Sequence, residues 1–223
     1  MRTIVAIILA ASMTGQAKDN TPPDGFVALF NGKDLTGWQG LVELPQRSKD
    51  PEKYAAQIKA ANEKYLPHWS VKDGVINYDG KGQSLQTVKD YGDFELLVDW
   101  KIEPKGDSGI YLRGSPQVQI WDPAKNGGVG SGGLYNNQTH PSKPLKLADK
   151  PLGEWNHFRI VMKGDKVNIW LNEVQVVENT VLEGYWGRKK GEPSPAIPET
   201  GPIELQHHGD HLEFKNIYIK ELK

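Results

Sequence analysis

The sequence predicts an all-β protein built as a two-layer sandwich, and three observations carry that expectation. Short runs rich in Val, Ile, Trp, Tyr and Phe recur along the chain, separated by clusters of Gly, Pro, Asn and Asp. Only one segment has the period of an amphipathic helix. The 223 residues, 37% of them apolar, suffice to fill the core of one generous domain.

The elements follow in chain order. Residues 1–17 read as a signal peptide: Arg2 precedes an apolar run from Ile4 to Ala11, and Gly15 and Ala17 are the small residues a signal peptidase accepts, which places cleavage after Ala17. The run is well short of the roughly 20 residues of a spanning helix, so no membrane anchor is expected and the location is periplasmic or secreted. Residues 18–223 then form a single domain. Its expected strands are 26–30, 69–77, 94–102, 109–113, 117–121, 156–162, 166–171, 203–206 and 213–219. The helix is expected over Pro51–Tyr65, with Asp50 as N-cap, Pro51 at the first position, and Tyr54, Ile58 and Ala61 on one side. It reads as a short insertion packed on the sandwich. Residues 187–201, rich in Pro, Gly and charge, form a loop rather than a linker. The Gly-rich stretch 127–133 is also a loop, since no Lys-Ser/Thr and helix follow to make a phosphate cradle.

Composition narrows the chemistry. Lys and Arg total 27 against 28 Asp and Glu, a net charge of -1, so no basic field draws the chain to nucleic acid. With no Cys there is no disulfide, thiol nucleophile or lipid-modified cysteine. Catalysis must come from carboxylate, His, Tyr, Lys, Arg or hydroxyl groups.

Strand alternation sorts the candidates by face. Phe94, Leu96, Val98, Trp100 and Ile102 fall on one side, leaving Glu95 and Asp99 opposite. Ile110 and Leu112 point inward and leave Tyr111 and Arg113 outside; Val118 and Ile120 leave Gln117, Gln119 and Trp121; Ile203 and Leu205 leave Glu204, Gln206 and His208. If these strands are neighbours in one sheet, its outer face collects Glu95, Asp99, Tyr111, Arg113, Gln119, Trp121, Gln206 and His208. Such a face has carbohydrate chemistry: aromatic plates for a sugar ring, amides and a guanidinium for hydroxyls, acids for proton transfer. A merely solvated sheet face is the plainer reading, with Arg113 neutralising Glu95 or Asp99. His207, His208 and His211 invite a metal, yet neighbours on a strand point to opposite faces, so no metal ligands are assigned. No cofactor is expected, with a divalent metal left open.

The segment running from Gly25 through Asn31-Gly-Lys-Asp-Leu-Thr-Gly-Trp38 resembles the opening of the 3-keto-disaccharide hydrolase domain family. Further motifs keep that family's order: Trp69-Ser-Val-Lys-Asp-Gly-Val-Ile76, Tyr91-Gly-Asp-Phe-Glu-Leu96, Asp107-Ser-Gly-Ile-Tyr-Leu-Arg-Gly114, Val118-Gln-Ile-Trp-Asp122, Gly153-Glu-Trp-Asn156, Gly201-Pro-Ile-Glu-Leu-Gln206 with His208-Gly209, and Phe214 to Leu222. The resemblance implies a concanavalin A-like jelly-roll sandwich of two antiparallel sheets. It implies cleavage of 3-keto-glycosides or 3-keto-disaccharides supplied by a separate oxidoreductase. A C3 ketone acidifies the C2 proton, so a base removes it, the C1 substituent departs and water adds to the enone. Glu95, Asp99 or His208 are the candidate acid and base, with Arg113, Tyr111 or Gln119 as donors to the enolate and Trp121 and Gln206 on the sugar.

Two positions depart from the family pattern. Gln117 stands where an acid is common, and Asp107 stands for Asn, a change that an Asx turn tolerates. Two other functions fit the same face. A conventional jelly-roll glycosidase would need Glu95 and Asp99 as a close pair, although a regular strand sets their α-carbons about 13 Å apart. A non-catalytic carbohydrate-binding module would keep the aromatics and amides without turnover.

Overall fold

The computed structural model describes residues 18–115 and 117–223, so the expected signal peptide lies outside the described residues. In chain order the strands are β1 (Val27–Ala28), β2 (Trp38–Gly40), β3 (Trp69–Lys72), β4 (Val75–Asp79), β5 (Leu85–Thr87), β6 (Phe94–Ile102), β7 (Asp107–Tyr111), β8 (Gln117–Trp121), β9 (Asn156–Lys163), β10 (Lys166–Leu171), β11 (Val174–Val181), β12 (Glu204–Leu205) and β13 (His211–Glu221). Helix α1 (Pro51–Tyr65) lies between β2 and β3. The large sheet runs β11-β10-β9-β6-β13-β4-β3, with β1 also on β13; the small sheet runs β2-β5-β12-β7-β8. Pairing is antiparallel throughout both sheets. Among the described residues no helix is long and apolar enough to cross a membrane.

Alternating apolar residues face inward from both sheets. Phe94, Leu96, Val98 and Trp100 of β6, with Phe158, Ile160 and Met162 of β9, meet Leu85, Ile110, Val118, Ile120 and Leu205 of the small sheet. The long strands therefore behave as half-buried strands with one wet face each.

Several boundaries differ from the expectation. The run 69–77 is a hairpin, because Asp73 and Gly74 both take positive φ and reverse the chain between β3 and β4. Residues 26–30 supply only the two-residue β1. β2, β5 and β11 carry too little alternation or too many polar residues to show as strands. The helix matches: the Asp50 carboxylate accepts from the N–H groups of Glu52 and Lys53, and Ala61 is buried. Its side of the sandwich is set by Gly40, where a Cβ would sit 2.6 Å from the Ala61 carbonyl oxygen, and by Asn62, which accepts the Gly40 N–H at 2.7 Å.

The sheet assignment overturns the single-face expectation. β6 is central in the large sheet, whereas β7, β8 and β12 belong to the small one. Their outward faces lie on opposite sides of the molecule with both sheets and the core between them. Glu95 accepts from Arg159 Nε at 2.6 Å, and that guanidinium lies 4.4 Å over the Trp170 ring. Asp99 meets His157 Nδ1 and accepts from Asn216 Nδ2, each at 2.6 Å. Both carboxylates are thus held on the outer face of the large sheet.

Arg113 departs from the expectation for a local reason. β7 ends at Tyr111, and Arg113 has φ +53°, which turns its side chain out of the strand's alternation. Its guanidinium is 3% exposed. It donates to the carbonyls of Gly92 (2.9 Å), Gly164 (2.9 Å) and Pro198 (3.3 Å) and pairs with Asp93 at 2.5 Å. Arg113 is a clamp joining the entrance of β6, the β9–β10 turn and the 187–201 loop.

Candidate active site

The register of the small sheet builds a lateral row on its outer face. Gln39 on β2 lies opposite Gln86 on β5, Gln86 opposite Glu204 on β12, Glu204 opposite Tyr111 on β7, and Tyr111 opposite Gln117 on β8. One polar side chain from each strand therefore lines a single band, while the next register positions, Leu85, Leu205, Ile110 and Val118, fill the core. The row beyond holds Ser84, Gln206, the bare Gly109 and Gln119, and beyond these stand His208, Asp107 and Trp121.

Most members of this band are buried. A row of amides and a carboxyl on an outer sheet face is expected to be wet, yet Gln86 is fully covered and Glu204 is 4% exposed. The cover comes from residues 41–47, which leave β2 at one edge and reach the end of β7. Glu43 stands close enough to Glu204 and Tyr111 to act on both electrostatically, and Leu44 packs at Gly114. From Gly40, four residues extend about 14 Å, the distance spanned by three strand spacings.

Burial sets the electrostatics. It pushes the Glu204 carboxyl up to about 8 against the hydrogen bond of the Ser84 hydroxyl, and the Glu43 charge pushes the same way. Burial and the Glu204 charge raise the Tyr111 phenol. His207 sits with its Nδ1 2.9 Å from Ser84 Oγ, which also accepts the His207 backbone N–H at 3.1 Å. Burial lowers its imidazole below the usual range, so His207 is neutral at pH 7. Glu204, Ser84 and His207 are one connected group: an acid that holds its proton at neutral pH beside a base that lacks one.

Free hydrogen-bonding capacity faces the same band. Both polar atoms of the Gln86 amide, and Oε1 of Gln206, are buried without a protein partner. Unpaired buried amides are costly. The free Gln86 amide and the free Gln206 oxygen, flanking a protonated carboxyl, are what a polar ligand would satisfy.

Of the residues expected from sequence, the structure brings together Tyr111, Gln119, Trp121, Gln206 and His208. Gln206 Nε2 reaches the Tyr111 hydroxyl at 3.5 Å. Gln119 Nε2 donates to Asp107 Oδ1 at 2.7 Å and its oxygen accepts from Gln117 at 2.7 Å; this last contact needs Gly109, where a Cβ would sit 3.0 Å from the Gln117 side chain. Asp107 makes no Asx turn, since it holds Gln119 and, at 3.2 Å, Lys125. His208 is exposed at the rim, 3.9 Å from Asp107. Glu95, Asp99 and Arg113 are not brought to this face.

Glu204, Gln86, Gln39, Ser84 and His207 complete the site; of these the sequence drew attention only to His207, and there as a metal candidate. Glu204 and Gln117 were legible as outward residues by alternation, and only burial distinguishes Glu204 from a surface acid. Glu183 shows the contrast: burial pushes it up, but the N–H groups of His140, Gln138 and Thr139 and the Ser194 hydroxyl outweigh this and hold it at about 2. It is a loop anchor. Among the described residues no group of three or more His, Asp or Glu side chains is placed to hold a metal ion.

Comparison with known proteins agrees with this architecture. A curated 3-keto-disaccharide hydrolase of Bacteroides thetaiotaomicron is 24% identical, over 89% of this chain and 79% of its own. Two crystal structures from Parabacteroides distasonis, each described as a candidate glycosyl hydrolase, superpose with TM-scores of 0.67 and 0.65. They are 28% and 26% identical, cover 90% and 92% of this chain, and are themselves covered over 85% and 100% of their lengths. The profile of the 3-keto-alpha-glucoside-1,2-lyase-like domain matches residues 25–220, and the chain belongs to that family.

Proposed function

We propose that the protein cleaves 3-keto-glycosides at the small-sheet face, by elimination of the C1 substituent followed by hydration, and that Glu204 and His207 carry the protons. The observation that supports this most is the Glu204 carboxyl, held protonated by burial beside the unpartnered amide of Gln86. The family match and the curated relative's name agree with the substrate class.

The chemistry asks for few groups. With Ser84 donating to one Glu204 oxygen, the Ser84 oxygen accepts from the His207 Nδ1–H, which leaves Nε2 with its lone pair. His207 takes the C2 proton that the ketone has acidified. The resulting enolate oxygen at C3 is met by the Gln86 amide and the Tyr111 hydroxyl. As the ketone reforms, the C1–O bond breaks with its electron pair on the leaving oxygen, and Glu204 supplies the proton. Water then adds at C1 and a proton returns to C2, so the net change is hydrolysis. The Ser84 hydroxyl links imidazolium to carboxylate and allows the pair to reset. Substrate reaches Gln86 when residues 41–47 lift from the band. A separate oxidoreductase supplies the ketone, and the signal-peptide reading of residues 1–17 supports cleavage outside the cytoplasm.

The test is turnover of paired substrates. 3-keto-glucosides should be cleaved and their unoxidised parents left intact, because only the ketone acidifies C2. Equal cleavage of both would contradict the mechanism and favour a conventional glycosidase. Tight binding of the ketone without turnover would favour a carbohydrate-binding module.

A further inference from the structure

A cleft of about 260 Å³ adjoins the active-site band at the β8 edge, lined by Gln119, Trp121, Val129, Tyr135, Lys143 and Pro144 among others. Its position is suggestive. Helix α1 packs at the β2 side of the band, so a substrate seated over Glu204 and Tyr111 extends toward β8. Two strand spacings, about 10 Å, separate β12 from β8, roughly the reach from one ring to the next substituent.

The floor of this cleft has no hydrogen bonds to spare. Gln119 gives its amide protons to Asp107, to the Ser108 carbonyl at 2.9 Å and to the Ile120 carbonyl at 3.1 Å, and its oxygen accepts from Gln117. Trp121 Nε1 is committed to the Gly130 carbonyl at 2.6 Å. The Trp121 and Tyr135 rings meet edge to face, centroids 5.4 Å apart and planes at 78°. Tyr135 is nonetheless 58% exposed, in the same stretch as the exposed Leu145 and Leu147. A second sugar would bring hydroxyls to a floor whose polar groups are already paired. A flat apolar ring would find two aromatic surfaces and Pro144, and the volume exceeds the roughly 150 Å³ known to take benzene.

We propose that this cleft is the leaving-group subsite and that it selects an aromatic aglycone, so that the preferred substrates are 3-keto aryl glycosides. Lys143 brings a cation to the same wall, where it suits the negative charge that develops on a phenolic oxygen as the C1–O bond breaks. This rests on the 3-keto-glycoside reading, and the experiment separates the two. Wild type and Tyr135→Ala are assayed on 4-nitrophenyl, methyl and disaccharide 3-keto-glucosides. Wild type should favour the aryl substrate, and Tyr135→Ala should raise its KM about 2- to 10-fold, the size of one aromatic contact, leaving the methyl glycoside unchanged. Preference for the disaccharide, or an equal change on aryl and methyl substrates, would overturn the subsite. If no 3-keto substrate turns over, the functional reading fails, and the cleft is then judged by binding alone. Saturation-transfer NMR should show contact to the aromatic ring of unoxidised 4-nitrophenyl glucoside that Tyr135→Ala abolishes; no contact in the wild type would overturn the proposal.

Discussion

At the residue scale, the same side-chain chemistry takes different roles according to what surrounds it. Arg113 and Glu204 are both buried, but the arginine is surrounded by acceptors, whereas the glutamate has the Ser84 hydroxyl and the like charge of Glu43. Arg113 spends its guanidinium on three carbonyls and Asp93. Arg113→Met should therefore cost stability, since a buried carbonyl left without its donor costs about 1–3 kcal/mol, visible as a drop in the denaturation midpoint. A variant with unchanged melting but a large loss of turnover would return Arg113 to catalysis. Alternation put Arg113 outward because it assumes that the strand continues, and the positive φ two residues past the end of β7 breaks that assumption.

At the element scale, the short strands of the small sheet carry the site and were the least legible. β12 has two residues, β2 and β5 three each. Period-2 reading needs longer runs than these to fix a face. Helix α1 was legible because capping, proline and apolar spacing agree at one place, though its target was not. That target is Gly40. Gly40→Ala would press a methyl group against the Ala61 backbone, and overpacking of this kind costs about 1–3 kcal/mol. The expected outcome is faster hydrogen exchange in α1 and residues 41–47, with the large sheet unaffected. Unchanged exchange there would mean that the helix docks elsewhere.

At the scale of the whole molecule, the strand inventory and the motifs of the 3-keto-disaccharide hydrolase family foretold the two-layer antiparallel sandwich. Which strands share a sheet was not written in either. β6 reads as a fine amphipathic strand and its acids as good candidates, but strand order decides which side of the molecule they face, and that depends on long-range pairing such as β6 with β13 and β9. Gln119, Tyr111 and Gln206 survived as one group because β7, β8 and β12 pair with one another or lie one strand apart. The two outward faces thus make opposite claims on the chemistry: Glu95 and Asp99 are partly buried with ion-pair partners, whereas Glu204 is enclosed, protonated and flanked by the free amide of Gln86 and the free oxygen of Gln206. Initial rates on one 3-keto-glucoside for Glu204→Gln and Glu95→Gln, measured side by side with the parent, put the two faces against each other. Glu204→Gln should lose about 100-fold or more, the usual worth of a positioned acid, and Glu95→Gln should change within about twofold, because its partly buried pair with Arg159 lies on the other sheet's outer face; near-normal turnover in Glu204→Gln with collapse in Glu95→Gln would contradict the assignment.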